Sequence, residues 1–371
     1  MSIFEIGKAI IEPIDIIEDF EDCKTKQQLF KHFKFDYNND IVINLSDTKI
    51  VKAVMLAIVG STGSGKTQLI KKIISSGVKN NVKFFIIDNK TDYIDKNGNH
   101  PDQFATDNNF EVCNILDSTI GFNPLVKSGE ETNIIIAYKF ISVVKNLYPL
   151  LGGTQKTNLK NTLIDYLSTC DIDNLIPSIN GMMEFFYEEE LTGAYMELLE
   201  PLVDFNIFTD KNISFSDWTK SIKSGYVLDT KSMYAIDNKV FMFVSYTFLE
   251  FLTRDILGGD ASDISGDYKQ ISNCLVIDEA SDLMEKRSSA LDDLLKKARE
   301  VGFGVIFGTQ AISQFKTQSG SYNYFERFVL TFVGSTEKEQ LGRDFFRINI
   351  FEDNAFKNIP YYKTKLQNKG K

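Results

Sequence analysis

The feature that most constrains this chain is the octapeptide Gly60-Ser61-Thr62-Gly63-Ser64-Gly65-Lys66-Thr67, a full match to GxxxxGK[ST]. It follows the apolar run Ala53 to Val59 (AVMLAIV) and precedes Gln68 to Ser75 (QLIKKIIS), whose apolar residues recur at helical spacing. A glycine-rich turn between a buried strand and a helix has a specific use. Its backbone N–H groups curl round a phosphate, the helix N-terminus adds positive dipole, the Lys66 ammonium bridges terminal phosphates and the Thr67 hydroxyl ligates magnesium. The chain is therefore expected to fold around a strand, loop and helix unit that holds a nucleotide.

Similar continuous apolar runs occur at Val82 to Ile87 (VKFFII), Val240 to Val244 (VFMFV), Cys274 to Ile277 (CLVI), Gly304 to Phe307 (GVIF) and Phe328 to Val333 (FVLTFV). Strands buried on both faces of a parallel sheet read this way. Helical stretches separate most of them, which predicts an α/β doubly wound fold with a mostly parallel sheet. Between Phe122 and about Asn238 the apolar residues instead recur at helical spacing, in Ile134 to Leu147, Asn158 to Leu167 and Met182 to Phe186. The expected organisation is a short extension over 1–50, a core over 51–121 and 239–345, a mostly helical insertion over 122–238 and a tail over 346–371. The extension holds a helix candidate, Thr25 to Phe33, and a strand candidate, Asp40 to Leu45; the basic stretch Lys363 to Lys371 reads as a solvated end.

A phosphate cradle does not separate kinase from GTPase or ATPase, so the second motif decides. The run Cys274 to Ile277 ends in adjacent carboxylates, Asp278 and Glu279. Asp278 at the strand tip can hold magnesium through its water shell, and Glu279 can take a proton from an attacking water, the division of labour that hydrolysis needs. A third apolar run, from Gly304, finishes at Thr309-Gln310, where Gln310 can orient the lytic water or sense the γ-phosphate. Asn89-Lys90-Thr91-Asp92 matches the guanine-reading NKxD pattern but lies only 23 residues past Lys66 and ahead of Asp278. That placement argues against guanine specificity and for a polar loop, Asp88 to Tyr93, at the carboxyl edge of the sheet close to the nucleotide.

Composition narrows the partners. With 41 Lys+Arg against 51 Asp+Glu the net charge is −10, so nucleic-acid contact requires a local basic surface. The four cysteines form no CxxC pair and there are only two histidines, which argues against a zinc site or a disulfide framework. The N-terminus turns acidic where a signal peptide would be basic, and no window approaches the roughly 18 apolar residues of a membrane span. A cytoplasmic protein with reduced thiols and no membrane partner is expected.

Taken together, GSTGSGKT at 60–67, IIDNKTDY at 86–93, FNPL at 122–125, LVIDEAS at 275–281 and AREVGFGVIFGTQ at 298–310 resemble the HerA/FtsK superfamily of hexameric P-loop ATPases, which includes type IV secretion coupling ATPases. The 212-residue gap from Lys66 to Asp278 also fits that group, and the likeness spans roughly residues 51 to 345. The resemblance implies a RecA-like core in which Gly60, Ser61, Thr62, Gly63, Ser64, Gly65, Lys66 and Thr67 bind ATP, Thr67 and Asp278 bind Mg2+, Glu279 activates water and Gln310 meets the γ-phosphate. Arg299 resembles the arginine that reaches a neighbouring subunit's nucleotide, although a cation at a helix C-terminus favours the dipole equally well; Arg254 and Arg343 are competing candidates. It further implies a homo-oligomeric ring, a hexamer, translocating on double-stranded DNA. The rivals are a protein-moving secretion-type ATPase and an ATP switch that regulates a partner nuclease or other effector. Lys156 and Lys160, within Gly152 to Lys160, are candidates for the DNA contact, and the acidic loop Gly258 to Tyr268 is a poor one.

Overall fold

The computed structural model describes residues 3–9, 39–44, 54–97, 102–148, 150–193, 195–258, 264–265, 268–269, 271–285, 287–298, 300–320, 322–328, 330–333 and 365–368. The strands are β1 (Ile3–Ala9), β2 (Asn39–Asn44), β3 (Met55–Val59), β4 (Lys83–Asp88), β5 (Glu111–Asn114), β6 (Gly225–Asp229), β7 (Ile264–Ser265), β8 (Tyr268–Lys269), β9 (Asn273–Ile277), β10 (Phe303–Thr309), β11 (Leu330–Val333) and β12 (Lys365–Asn368). The helices of two turns or more are α1 (Lys66–Lys79), α2 (Asn133–Leu147), α3 (Gly153–Asp173), α4 (Ile179–Glu188), α5 (Met196–Asp204), α6 (Asn238–Gly258) and α7 (Ser289–Lys297). They fall into two compact units, one of Met1–Phe84, Ala261–Glu285 and Leu295–Lys371, the other of Phe85–Asp260 and Lys286–Leu294.

In the first unit the strand order is β12-β11-β3-β10-β9. β11, β3, β10 and β9 run parallel, and β12 closes the edge antiparallel to β11. All five residues of β3 and all seven of β10 are buried, which is why these strands read as unbroken apolar runs. α1 buries Ile70, Ile73 and Ile74, an i, i+3, i+4 stripe. The register sets Thr309 beside Val59 and Phe307 beside Ile277, so β3 and β10 end level and β9 ends two residues earlier, which leaves Asp278 against Gly308. Phe328, expected inside a strand, instead packs its ring 5.5 Å from Phe307 and 5.1 Å from Phe315. Part of the expected solvated end is strand β12. β1 and β2 form an antiparallel pair, and the helix candidate Thr25 to Phe33 lies outside the described residues.

In the second unit the order is β4-β6-β5, with β5 and β6 parallel. The stretch 122–238 carries α2 to α5, as its periodicity indicates, but also holds β6. Val240 to Val244, expected as a strand, is the first part of the 21-residue helix α6. The physical reason is burial: Val240, Phe241, Phe243 and Val244 are all buried, and a helix enclosed this fully loses the alternation that would distinguish it from a strand. Phe122 sits at the hub of this unit's aromatic core, with ring centroids 4.9 Å from Phe215, 5.2 Å from Trp218 and 5.9 Å from Phe248. Its neighbour Asn123 donates to Pro177 O at 2.7 Å and accepts from Leu125 N at 2.9 Å, so the FNPL motif is a packing and turn element. Among the described residues, no helix is long and apolar enough to cross a membrane. Cys113, Cys170 and Cys274 are free and buried.

Candidate active site

The first unit assembles the site from strand ends. Gly60 N donates to Thr309 O at 3.0 Å, tying the start of the glycine loop to the end of the neighbouring strand. Gly63 and Gly65 have φ of 78° and 83°, left-handed values that glycine adopts without a Cβ penalty. Gly65 is the N-cap of α1, and glycine offers no side-chain acceptor, so the first-turn N–H groups are left to an anion. Ser64 Oγ is buried with no hydrogen-bond partner among the described residues. A buried hydroxyl of this kind is a donor that a phosphate oxygen would satisfy.

Lys66 and Thr67 open α1 and meet the tip of β9. Lys66 Nζ donates to Glu279 Oε1 at 2.9 Å and pairs with Asp278 Oδ1 at 3.2 Å; its side chain is only 8% exposed. Burial alone would lower the Lys66 pKa, but the adjacent Asp278 and Glu279 carboxylates outweigh it and hold the ammonium above its ordinary value. Thr67 Oγ1 donates to Asp278 Oδ2 at 2.8 Å, and Glu279 N donates to Asp278 Oδ1 at 3.1 Å. Residues 211 and 213 apart in sequence are thereby in direct contact.

Glu279 stands at φ 60°, a left-handed conformation that a non-glycine residue holds at a cost of roughly 1–3 kcal/mol. Ala280 N donates to Gly308 O at 2.9 Å, which fixes the turn immediately after it. The second Glu279 oxygen, Oε2, accepts from Gln310 Nε2 at 3.2 Å. Gln310 is exposed, and its backbone N–H is taken by Gln314 Oε1 at 2.8 Å. One residue of this arrangement escaped the motif reading. A Cβ at Gly308 would overlap Asp278 Oδ1, so only glycine lets the carboxylate lie against β10. The signal for it was the glycine next to the end of an otherwise bulky strand, GVIFGT.

The donor set suits both expected ligands. Thr67 and Asp278 present hard oxygens of the kind magnesium prefers, while Lys66, Ser64 and the loop N–H groups suit phosphate. The Glu279 carboxylate, bonded to Lys66 and Gln310, is chemically able to accept a proton. Of the remaining expected residues, Ser61, Thr62 and Gly63 are exposed in the loop. Arg299 and Arg343 lie outside the described residues. Arg254 pairs with Glu250 in its own helix at 3.0 Å. Lys160 Nζ sits 5.5 Å from the Tyr138 ring centroid.

The NKxD look-alike, in the second unit, is a turn built on Asp88. Its carboxylate accepts from Lys90 N at 2.9 Å and from Tyr93 N at 2.8 Å. Burial raises the Asp88 pKa, and these N–H groups offset the rise only in part.

A parallel sheet whose strand ends carry a glycine cradle, a magnesium-type aspartate and an adjacent glutamate defines a P-loop ATPase. The chain belongs to the family described as "Helicase HerA, central domain", whose model matches residues 30–251 and so includes the P-loop. Among solved structures, VirB4 of Thermoanaerobacter pseudethanolicus is similar in fold, with TM-score 0.64 at 14% identity over 93% of this chain and 89% of that one. The bacterial conjugative coupling protein TrwB, in an unbound form, has TM-score 0.53 at 15% identity over 77% of this chain and 69% of its own. A TrwB structure with ADP and Mg2+ gives TM-score 0.51 at 15% identity, over 75% and 70%. No curated protein sequence matches the chain.

Proposed function

We propose that this ATPase binds ATP with Mg2+ and couples hydrolysis to movement along double-stranded DNA as a ring-shaped oligomer, a hexamer. The observation that carries the chemistry is the meeting of Lys66 and Thr67 with Asp278 and Glu279 at one sheet edge. Membership of the HerA central-domain family supports the DNA. In this reading the loop N–H groups and Ser64 hold phosphate oxygens, Lys66 neutralises the terminal phosphates, and Thr67 and Asp278 hold the metal. Magnesium, when bound, supplies neutralisation of charge on the β- and γ-phosphates. Glu279 takes the proton of the attacking water once Lys66 turns to the phosphates and frees Oε1, while Gln310 keeps its hold on Oε2.

Arg299 completes the site of the adjacent protomer by offsetting charge that develops on the γ-phosphate. Arg299→Ala alone should then be nearly inactive, and mixing it with Glu279→Gln protomers should recover turnover. Recovery occurs because the intact Glu279 site faces a neighbour that keeps its arginine. The deciding experiment for the whole reading is the ATPase rate with and without duplex DNA, alongside mass in solution with and without nucleotide. DNA-stimulated turnover in an oligomer supports it. A second reading, a motor that moves protein, is favoured by the net charge of −10; it requires turnover indifferent to DNA.

A further inference from the structure

We propose that Gln314 is a positioning residue for hydrolysis: it fixes the backbone at Gln310 so that the Gln310 amide holds Glu279 in place. The inference rests on the reading of Glu279 as the proton acceptor. Gln314 Oε1 accepts from two successive backbone N–H groups, Gln310 at 2.8 Å and Ala311 at 3.1 Å. Those donors fix the orientation of the Gln314 amide, because its NH2 end could not face two N–H groups. The same logic fixes Gln310, whose NH2 end must face the acceptor-only carboxylate at Glu279 Oε2.

Position in the fold explains the need for such a brace. Thr309 is the last residue of β10 and the chain turns at once into a short 3-10 segment, Ile312–Phe315. Gln310 and Ala311 sit between the two, and their N–H groups find their acceptor in a side chain. Thr309 Oγ1 adds a bond to Ala311 O at 3.2 Å, and Phe315 is fully buried and anchors the far end of the segment. Gln314 thus converts the buried position of its neighbour Phe315 into a fixed direction for Gln310. From there the contact runs to Glu279, whose left-handed backbone already limits where its carboxylate can lie.

Removing the acceptor should let Gln310 wander and misplace Glu279 without touching the phosphate cradle. Gln314→Leu in the full chain is therefore expected to lower kcat by about ten- to a hundredfold while the KM and Kd for ATP stay near wild type. Gln314→Glu, which keeps the acceptor, should retain most of the turnover. Gln310→Ala should lose turnover by a similar factor, and the double variant Gln310→Ala/Gln314→Leu should be no slower than Gln310→Ala alone. Independently of activity, hydrogen exchange at the Gln310 and Ala311 amides should accelerate in Gln314→Leu and not in Gln314→Glu. Multiplicative losses in the double variant, equal loss in Gln314→Glu and Gln314→Leu, or wild-type turnover in Gln310→Ala would each overturn the proposal. Glu279→Gln serves as the control. If it hydrolyses ATP normally, the reading of the site itself fails; if it is inactive while Gln310 and Gln314 do not couple, only the positioning role fails.

Discussion

Asp278 in the first unit and Asp88 in the second are both nearly inaccessible aspartates at the carboxyl ends of buried strands, 4% and 1% exposed. They differ in what satisfies them. Asp88 accepts from the backbone of its own loop, at Lys90 and Tyr93. Asp278 accepts one backbone N–H, from Glu279, but also accepts from Thr67 and pairs with Lys66, side chains that arrive from another strand-loop-helix unit. An aspartate held by nearby backbone shapes a turn, and its bonds have nothing to exchange with a ligand. One held by an ammonium and a hydroxyl carries partners that phosphate and metal can claim. The strand-tip carboxylate is the same in sequence; the donors decide whether it is architecture or chemistry.

The most severe test is Lys66→Ala, which should abolish nucleotide-dependent activity because it removes the ammonium that meets both Asp278 and Glu279 and, in the proposed reading, bridges the terminal phosphates. Near wild-type turnover in a steady-state assay would erase the distinction between the two aspartates. Next, Glu279→Gln should still bind ATP with Mg2+ yet hydrolyse it roughly 10² to 10⁴ times more slowly, whereas Asp278→Asn should weaken the Mg2+-dependent binding itself. Titration calorimetry separates these outcomes, and equal loss of binding in both would break the assignment. Gly308→Ala, whose new methyl would overlap Asp278 Oδ1, should reproduce part of the Asp278→Asn defect and cost about 1–3 kcal/mol of stability. Unchanged metal-dependent binding there would mean that Asp278 does not need its seat against β10.

Asp88→Asn should do the opposite, lowering stability by about 1–3 kcal/mol, since an amide can accept only one of the two N–H bonds, and leaving ATP affinity intact. The smallest effect is one of pH. Burial raises the folded pKa of Asp88 above 3.8, so folding favours its protonated form. Between the raised value and 3.8, wild type should gain stability relative to Asp88→Asn as pH falls, the reverse of what a salt-bridged aspartate does. Thermal unfolding of both across that window checks the sign.

The cradle and the Asp278-Glu279 pair were legible because each is a backbone requirement written in residue type: glycines where φ is positive, carboxylates directly after an apolar strand. The family likeness of the whole was legible for the same reason. Val240 to Val244 misled because five apolar residues fit a buried helix as well as a buried strand. β6 and β12 were missed because GYVLD and KLQN carry too few apolar residues to stand out, and pairing partners distant in sequence decide their state. Gln314 left no trace at all, since a glutamine four residues after another is ordinary until the chain turns and brings both amides to use.

The left-handed backbone of Glu279 sets stability against activity at a single position. Glu279→Gly should return part of the roughly 1–3 kcal/mol held in that φ, but it also strips Lys66 and Gln310 of the carboxylate they share and leaves the buried ammonium to Asp278. The strained turn at 279 is thus kept by the bonds that its own carboxylate makes.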